Sequence, residues 1–321
     1  MNLKQIQSFV AVFEEGGFSR AAQRLHATQP GISAQMKQLE NSLGDVLFER
    51  SVSGVTPTPA GRLFYQHALA ILRRVQVAQE ELREMRGEIS GSIKFGIIPS
   101  ALRGLSPTLF PRFAATYPQI KITLKEAYSD SLTTWVRTGE LDFAVVIEPP
   151  HQEGLMTERL TKESMVLISG RAMGLSSWRP INLVGAQPLK LIAPSEGNSL
   201  RINLDRRIRS GELPIANLLE MDSVHGSIEF IRNSDWTTIL PYTAVSADAD
   251  APDLCLNPIT APEISADFFL IHQVQSPLSI AARTFVEIMG EEFDLINDSW
   301  RANLSRHHLT KKNSDRPDFP D

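Results

Sequence analysis

The first part of the chain contains three stretches in which apolar residues recur with helical spacing, separated by residues typical of turns. This pattern restricts the segment to a bundle of short helices. Apolar side chains recur every three or four residues over positions 3–15, which predicts an amphipathic helix. Gly16, with a second glycine after it, ends that helix because glycine readily adopts the left-handed conformation of a C-cap. Ser19 can cap a second helix, and Thr28 can cap a third that has Pro30 in its first turn. Two short helices joined by a tight turn are typical of a helix-turn-helix.

The third predicted helix has two faces of different chemistry. Its apolar stripe recurs at spacings of four, three and four, and consists of Ile32, Met36, Leu39 and Leu43. Its opposite face carries Gln29, Ser33 and Lys37, one turn apart. Glutamine can read adenine through two hydrogen bonds, serine can donate or accept, and lysine reaches guanine or phosphate. This face is a candidate for base reading in the major groove; the alternative is a solvated face on an ordinary three-helix domain.

The segment TQPGISAQMKQLENSLGDVLFER, followed by TPAG at positions 58–61, resembles the N-terminal signature of the LysR-type transcriptional regulators. The order of predicted elements is similar from about residue 2 to about residue 300. The resemblance implies a winged helix-turn-helix over residues 1–57 and a linker dimerisation helix over 58–89. It also implies a C-terminal α/β two-lobed domain, similar to periplasmic binding proteins, over 90–300. The implied function is sequence-specific binding to double-stranded operator DNA under the control of a small-molecule effector.

The same resemblance implies a set of DNA-binding positions, although the chain departs from the family at some of them. The positions are Arg20, Thr28, Gln29, Pro30, Ser33, Ala34, Lys37 and Arg50. Ala34 stands where the family usually has arginine. In the wing, Ser53, Thr56 and Pro57 replace the usual arginines and leucine, whereas Arg50 is retained.

The charge balance offers no overall attraction to nucleic acid. The chain of 321 residues has a net charge of −5, and residues 1–88 hold 10 Lys/Arg against 9 Asp/Glu. Residues 89–321 hold the remaining 22 Lys/Arg and 28 Asp/Glu of the chain's totals of 32 and 37. Phosphate contacts must therefore come from local placement of cations, for which Arg20, Arg24, Lys37 and Arg50 are the candidates.

Composition also bears on compartment and on cofactors. A single cysteine, Cys255, excludes an intrachain disulfide and a cysteine-cluster metal site, and it suits a reducing cytoplasm. The N-terminus lacks a secretory signal, and no apolar run approaches the roughly 20 residues of a membrane span. We expect a cytoplasmic protein with no cofactor, no metal and no membrane partner. The polar stretch 301–321, with His307 and His308, is expected to be a frayed tail.

Thr58 and Pro59 open a long predicted helix whose apolar residues repeat with heptad spacing. The seam consists of Phe64, Ala68, Ile71, Val75, Ala78, Leu82, Met85 and Ile89. A helix of about 30 residues, roughly 45 Å long, extends beyond a small head domain. We expect its seam to pair with a second copy of the chain, giving a dimer and, through pairing of dimers, a tetramer. The alternative is packing against the same chain's C-terminal domain.

Beyond Gly91, strands alternate with helices in a βαβαβ rhythm that predicts an open α/β sheet. A second set of strands and helices follows, so two lobes are expected. Lobe one would comprise about 92–162 and 269–300, and lobe two about 163–268.

Ligands of open α/β sheets bind beyond the carboxyl ends of the strands, near helix N-termini. This rule and the resemblance select Ser100, Ser129, Ile147 and Ser195 as effector-binding residues. Hydroxyls and free N–H groups at helix ends favour a small organic anion. The alternative for each serine is a cap on its own helix.

One segment of lobe two departs from the family. IRNSDWTTILP at 231–241 has Ser234 and Trp236 where the family has glycines. Trp236 could line the effector cleft, or it could be a core or subunit-contact residue.

Two other classes of function compete with a regulator. An enzyme is disfavoured because the chain lacks a phosphate-cradling loop, a dinucleotide fingerprint, a nucleophile elbow and H-E-x-x-H. A transport receptor is disfavoured by the helix-turn-helix and by the missing signal peptide.

Overall fold

The computed structural model describes residues 1–51, 54–84, 90–148 and 153–307. The head domain contains three helices and a two-stranded antiparallel wing. These are α1 (Leu3–Glu15), α2 (Phe18–Arg24), α3 (Gln29–Leu43), β1 (Phe48–Ser51) and β2 (Gly54–Pro57).

Local capping fixes the limits of the head helices. Asn2 and Gln5 form a reciprocal capping box at the start of α1, and Gly16 ends this helix with a φ of 60°. The aromatic ring of Phe9 is completely buried at the centre of the head, where it contacts the rings of Phe48 and Phe64. The predicted three-helix arrangement is confirmed.

Helix α4 (Pro59–Glu84) follows the wing and begins in the sequence TPAG. Thr58 Oγ1 accepts the Gly61 N–H at 2.9 Å and donates to the Val46 carbonyl at 2.7 Å. A Cβ on Gly61 would lie 2.2 Å from the Leu47 carbonyl oxygen, so only glycine allows this approach. TPAG therefore fixes the linker helix to the end of α3 and the wing.

Helix α4 divides its apolar seam between two environments. Ala68 is buried against the head, and Phe64 and Ile71 are half-buried there. Ala78 is exposed and Leu82 is 61% exposed. Met85 and Ile89, the last predicted members of the seam, lie outside the described residues.

The C-terminal domain is built on a ten-stranded sheet that runs through both lobes. Its strands are β3 (Gly91–Ile97), β4 (Ile120–Glu126), β5 (Phe143–Ile147), β6 (Leu155–Gly170), β7 (Ile181–Asn182), β8 (Leu189–Ala193), β9 (Ile215–Glu220), β10 (Thr237–Pro241), β11 (Leu254–Ala261) and β12 (Ser265–Gln273). Its helices are α5 (Pro99–Thr116), α6 (Ser129–Arg137), α7 (Ser199–Arg209), α8 (Val224–Arg232) and α9 (Ile280–Arg306).

Strand β6 connects the two lobes. Its first part pairs with β12 in lobe one, whereas residues from Met165 onward pair with β10 and β11 in lobe two. Lobe one has the strand order β4-β3-β5-β12-β6, and lobe two continues as β6-β10-β8-β9. The predicted two-lobed α/β fold with crossing strands is confirmed.

Two elements of the structure extend past the approximate boundaries expected from the sequence. Strand β12 begins at Ser265 and pairs with β5 over Phe268 to His272, so lobe one resumes earlier than residue 269. Helix α9 continues to Arg306, which shortens the predicted tail of 301–321. The reason is a specific contact: Asn303, 7% exposed, donates to the Tyr242 hydroxyl at 3.2 Å. His308 lies outside the described residues.

Within the described ranges, no helix is both long enough and apolar enough to cross a membrane. The same part of the chain contains no cluster of three or more His, Cys, Asp or Glu side chains that could hold a metal ion.

Candidate DNA-binding surface and interlobe cleft

Helix α3 buries most of its apolar stripe in the head. Ile32, Met36 and Leu39 are buried, whereas Leu43, the fourth predicted member, is 39% exposed. Leu43 is the last residue of the helix, and Gly44 follows it with a φ of 74°. The predicted stripe is confirmed for three residues and is wrong for Leu43, because the helix has left the core by its last turn.

The opposite face of α3 is exposed at most of the predicted positions. Gln29, Pro30, Ala34 and Lys37 are exposed. Thr28 caps the helix as expected, since its Oγ1 accepts the Gly31 N–H at 3.3 Å.

Ser33 is the exception on this face. It is half-buried, and its Oγ is shielded from solvent with no hydrogen-bond partner in the described part of the chain. A buried hydroxyl without a partner costs roughly 1–3 kcal/mol. Reading a base would therefore require this side chain to rotate outward.

Two predicted phosphate-binding cations are held by the end of α1. Arg20 Nε donates to the Glu15 carbonyl oxygen at 2.7 Å, and Arg24 forms ion pairs with the carboxylates of Glu14 and Glu15. Both arginines remain exposed. They therefore fix α2 against α1 while presenting their remaining N–H groups to solvent.

The wing is a short hairpin in which the backbone of Arg50 pairs with Val55. Thr56 is exposed on the second strand. The side chain of Arg50, and Ser53, lie outside the described residues.

A cleft of about 530 Å³, including its open part, lies between the two lobes. Six of its lining residues belong to lobe one and ten to lobe two. The lining residues are Ile98, Pro99, Ser100, Tyr128, Ser129, Ile147, Ala193, Pro194, Asn198, Ser199, Leu200, Met221, Val224, Ser227, Thr238 and Leu240.

The first turns of four helices meet in this cleft. Pro99 and Ser129 begin α5 and α6 of lobe one, and Ser199 and Val224 begin α7 and α8 of lobe two. Asn198 caps α7, and Ser223 caps α8. The N-termini of α5 and α6 carry no side-chain cap. Lobe one therefore presents helix ends whose N–H groups have no capping side chain.

Three of the four predicted effector residues line the cleft together. Ser100, Ser129 and Ile147 are each at most 9% exposed. Ser129 Oγ donates to the Ile147 carbonyl and accepts the Ile147 N–H, both at 3.2 Å. Ser100 lines the cleft and is 6% exposed. The alternative interpretation, in which these two serines cap their own helices, is wrong.

The prediction for Ser195 is corrected. Ser195 does not line the cleft, because its backbone N–H and its Oγ both donate to the carboxylate of Asp222, at 2.9 and 2.6 Å. These two hydrogen bonds lower the pKa of Asp222. Asn198 and Ser199, a few residues further along the chain, line the cleft instead.

Tyr128 is a cleft residue that sequence reasoning missed. It is half-buried in lobe one, and burial, with a further contribution from Asp222 and Glu126, raises its pKa to about 12. The sequence signal that could have identified Tyr128 as a cleft residue is its position directly before Ser129 in EAYSDSL.

No cationic side chain is among the described residues that line the cleft. Arg201, 5% exposed, is bound to Asp205, Glu220 and the Pro194 carbonyl. His225 is exposed and is not part of the lining. Among the lining groups, only the helix N-termini therefore carry partial positive charge.

Trp236 and Cys255 both lie away from the cleft. Trp236 is half-buried and contacts the ring of Phe230 edge-on at 6.1 Å. Cys255 is buried, its Sγ donates to the Leu175 carbonyl at 3.1 Å, and burial raises the pKa of the thiol. The interpretation of Trp236 as a packing residue agrees with the structure, and the Cys255 environment disfavours a reactive thiolate.

Comparison with known proteins assigns both parts of the chain. Residues 3–62 match the family described as bacterial regulatory helix-turn-helix protein, lysR family. Residues 86–294 match the LysR substrate binding domain. The chain is similar to the nitrogen assimilation regulatory protein nac of Escherichia coli, with 28% identity over 90% of this chain and 94% of nac.

Solved structures agree over nearly the whole chain. A full-length OxyR variant from Pseudomonas aeruginosa superposes with a TM-score of 0.73 and 25% identity, covering 92% of this chain and 95% of OxyR. Full-length CbnR, solved in complex with its target DNA, has the same fold, with a TM-score of 0.59 and 22% identity over 91% of this chain and all of CbnR.

The helix-turn-helix match covers the head, and the substrate-binding match covers the two-lobed domain. The two matches follow each other along the chain in the same order as the two domains. The chain is a DNA-binding transcriptional regulator with an effector-binding domain, and not an enzyme. It belongs to the LysR family of bacterial transcriptional regulators.

Proposed function

We propose that this chain controls transcription from specific operators in response to a small organic anion bound between its two lobes. One observation carries the proposal: the first turns of four helices line a single interlobe cleft, and the two from lobe one lack side-chain caps. The dipole and the free N–H groups of such helix ends favour negative charge.

The cleft suggests how the anion would be held. Its acidic group would accept hydrogen bonds from the N-terminal N–H groups of α5 and α6 and from the hydroxyls of Ser100 and Ser129. Ile147 and the apolar side chains of Met221 and Leu240 would contact the rest of the molecule. Ser195, which was predicted to take part, is left out because Asp222 engages its hydroxyl.

The same lobe offers a physical link from the cleft to the linker helix. Strands β3 and β5 end beside the cleft, where Ile98 directly follows β3 and Ile147 is the last residue of β5, and they begin beside α4. At that other end, Arg73 of α4 pairs with Asp142 at 3.2 Å, and Gln76 donates to Ser92 Oγ at 2.9 Å. We infer that a shift of these strands on effector binding is transmitted to α4 through these contacts.

For DNA, we propose that the exposed face of α3 enters the major groove. Gln29 and Lys37 would contact bases or phosphate, with Ala34 packed against a base edge and Thr28 and Pro30 at the helix entry. Ser33 would contribute only after rotation of its side chain. Arg20, and Arg50 in the wing, would contact the flanking backbone.

We propose a dimer formed through α4, and a tetramer formed from two dimers. Ala78 and Leu82 support this, because they continue the heptad seam and are exposed in the single chain. A dimer would place two copies of α3 on successive half-sites of an operator.

A thermal-shift screen of organic acids on the full-length chain tests the effector proposal. Calorimetry on Ser100→Ala and Ser129→Ala then locates the site; each should weaken binding by about 0.5–1.5 kcal/mol, or up to about 3 kcal/mol against a charged partner. Ser131→Ala is the matched control, because Ser131 is exposed on α6 and does not line the cleft. Unchanged affinity in both test variants would overturn the site.

A further inference from the structure

A second cavity lies where the head, the linker helix and lobe one meet. It encloses about 840 Å³, including its open part, and its lining residues all differ from those of the interlobe cleft. The head contributes Val10 and Glu14 of α1 and Arg24 of α2. The other walls are formed by α4 and by the ends of β3, β5 and β12 that lie away from the cleft. A molecule bound in this junction cavity would therefore contact both domains at once.

The two carboxylates that line the junction cavity are both engaged. Glu14 pairs with Arg24 at 2.5 Å and accepts the Tyr65 hydroxyl at 2.9 Å. Asp142 pairs with Arg73 Nε at 3.2 Å through one oxygen and accepts a backbone N–H of β3 at 2.8 Å through the other. Neither carboxylate therefore requires a cationic ligand.

Two cations on the same wall have donors available for a ligand. The side chain of Arg73 is 11% exposed, and its Nη2 is shielded from solvent with no hydrogen-bond partner in the described part of the chain. A buried donor without a partner costs roughly 1–3 kcal/mol. Lys94 adjoins Arg73, since its backbone N–H donates to the carboxylate that Arg73 binds, and Lys94 is exposed. A carboxylate entering the cavity could bind both cations after a small rotation of the Arg73 side chain.

A third carboxylate limits the negative charge that the ligand can carry. Glu80 lies two turns beyond Arg73 on α4, is 3% exposed and does not line the cavity. Gln76 lies between them and donates to Glu80 Oε1 at 2.7 Å and to Ser92 Oγ at 2.9 Å. Glu80 Oε2 has no partner among the described residues, so it would repel added negative charge. With Glu80, three carboxylates balance the three cations that line the cavity, and a monoanion therefore fits better than a polyanion.

Apolar side chains from both domains complete the wall. Leu69 and Leu72 of α4 are half-buried, and Leu141 of lobe one and Val10 of the head are buried. A Cβ on Gly139 would lie 3.4 Å from Leu69, so α4 and lobe one are in contact on this side. An apolar surface beside a few convergent polar groups is typical of small-molecule sites.

We propose that the junction cavity binds a small organic monocarboxylate with an apolar body. Its carboxylate would accept hydrogen bonds from Arg73 and Lys94, and its body would lie against Leu69 and Leu141. Such a ligand would fix the head against lobe one directly, without movement of the two lobes. This second ligand site does not depend on the site proposed between the lobes.

Calorimetry on the full-length chain with three acids and their primary amides tests the proposal. The acids are hexanoate, cyclohexanecarboxylate and 3-phenylpropanoate, and each amide has nearly the shape of its acid without the charge. At least one acid should bind, and it should bind about 10- to 100-fold more tightly than its amide, as expected for charge-assisted hydrogen bonds.

Lys94→Gln removes the ammonium group at an exposed position and keeps the backbone N–H that Asp142 accepts. It should reduce the preference for the acid over the amide by about 5- to 10-fold. Lys121→Gln is the matched control, because Lys121 is exposed on the neighbouring strand β4 and lines neither cavity. The Ser100→Ala/Ser129→Ala double variant should bind the acid as the parent does, since both serines line only the interlobe cleft.

Three outcomes would overturn the inference: no binding by any of the acids, amides that all bind as tightly as their acids, or full binding of the acid in Lys94→Gln. Full binding in Lys94→Gln with loss of binding in the double serine variant would place the acid between the lobes, which would support the proposed function while this inference fails. Loss of binding in Lys94→Gln with full binding in the double serine variant would establish the junction site and leave the proposed function to its own test.

Discussion

Arg73 Nε lies 3.2 Å from Asp142 Oδ1, and this ion pair joins the linker helix to the first lobe with side chains only 11% and 12% exposed. Asp142 also accepts the Lys94 N–H at 2.8 Å, which ties the contact to strand β3. Burial raises the pKa of Asp142, while Arg73 and the Lys94 N–H act in the opposite direction. The pair therefore compensates a buried charge at the junction between the two domains.

Arg73→Ala and Asp142→Asn should each uncouple the cleft from the DNA-binding head. In a double-mutant cycle on thermal stability we expect a coupling free energy of about 0.5–3 kcal/mol between the two residues. The effector-induced change in operator affinity should shrink in both variants. Arg74→Ala is the matched control, because Arg74 is exposed on the same helix. A full effector response in Arg73→Ala would count against this route.

Gln29→Ala should reduce the preference for operator over random DNA by about 1–3 kcal/mol, because it removes a bidentate base contact. Lys37→Ala should instead lower affinity for both duplexes and reduce the salt slope by about one unit if its partner is phosphate. Fluorescence anisotropy at several salt concentrations measures both effects. Gln79→Ala, exposed on α4, should change neither. Unaltered specificity in Gln29→Ala would contradict the assignment of α3 as the reading helix.

Replacing Ala78 and Leu82 together with Asp should separate the proposed dimer. Both residues are exposed in the single chain, so the substitutions spare its core and place unpaired charges in the interface between copies. Sedimentation velocity should show a dissociation constant raised by about 100-fold or more, which corresponds to about 3 kcal/mol. Gln79→Asp is the control on the adjacent face of the helix. An intact dimer in the double variant would place the interface elsewhere.

Glu163 should make folding pH-dependent. It is 3% exposed in β6, and burial raises its pKa, although the Thr243 N–H, at 3.0 Å from Oε2, opposes this. Between the ordinary value of about 4.3 and the raised pKa, the folded chain holds this proton and the unfolded chain does not. The stabilising contribution is therefore present at low pH and is lost as pH rises through the raised pKa.

Glu163→Gln cannot titrate, so its Tm relative to the parent should rise as pH increases from about 4.5 to about 7.5. Calorimetric unfolding across this interval measures the difference. Glu287→Gln, at an exposed position on α9, should show a constant offset. A pH-independent difference for Glu163→Gln would mean that the buried carboxylate does not titrate in this interval.

Local signals predicted most of the fold because they are strong where they occur. Gly16 and Thr28 fixed helix ends, and apolar runs such as β5 located the buried strands. Strand β11 is not indicated by its local sequence, because it contains Pro258 and proline argues against a central strand. The true end of α9 depends on Asn303 reaching Tyr242, a contact 61 residues apart that no local pattern contains.

Some cleft residues can likewise be predicted from local sequence, whereas the placement of others depends on tertiary contacts. Ser100 and Ser129 were predictable because each follows a strand and opens a helix. Ser195 follows a strand as well, but Asp222, 27 residues later, engages its hydroxyl and removes it from the cleft.

The central claim is that a molecule bound between the lobes changes how the head binds DNA. Fluorescence anisotropy of the chain's operator, titrated with the ligand identified by thermal shift, tests it most directly. The account predicts an effector-dependent change in operator affinity whose midpoint moves to about 2- to 10-fold higher ligand concentration in Ser100→Ala, and stays unchanged in Ser131→Ala. An identical midpoint in Ser100→Ala, Ser129→Ala and the parent chain would contradict it.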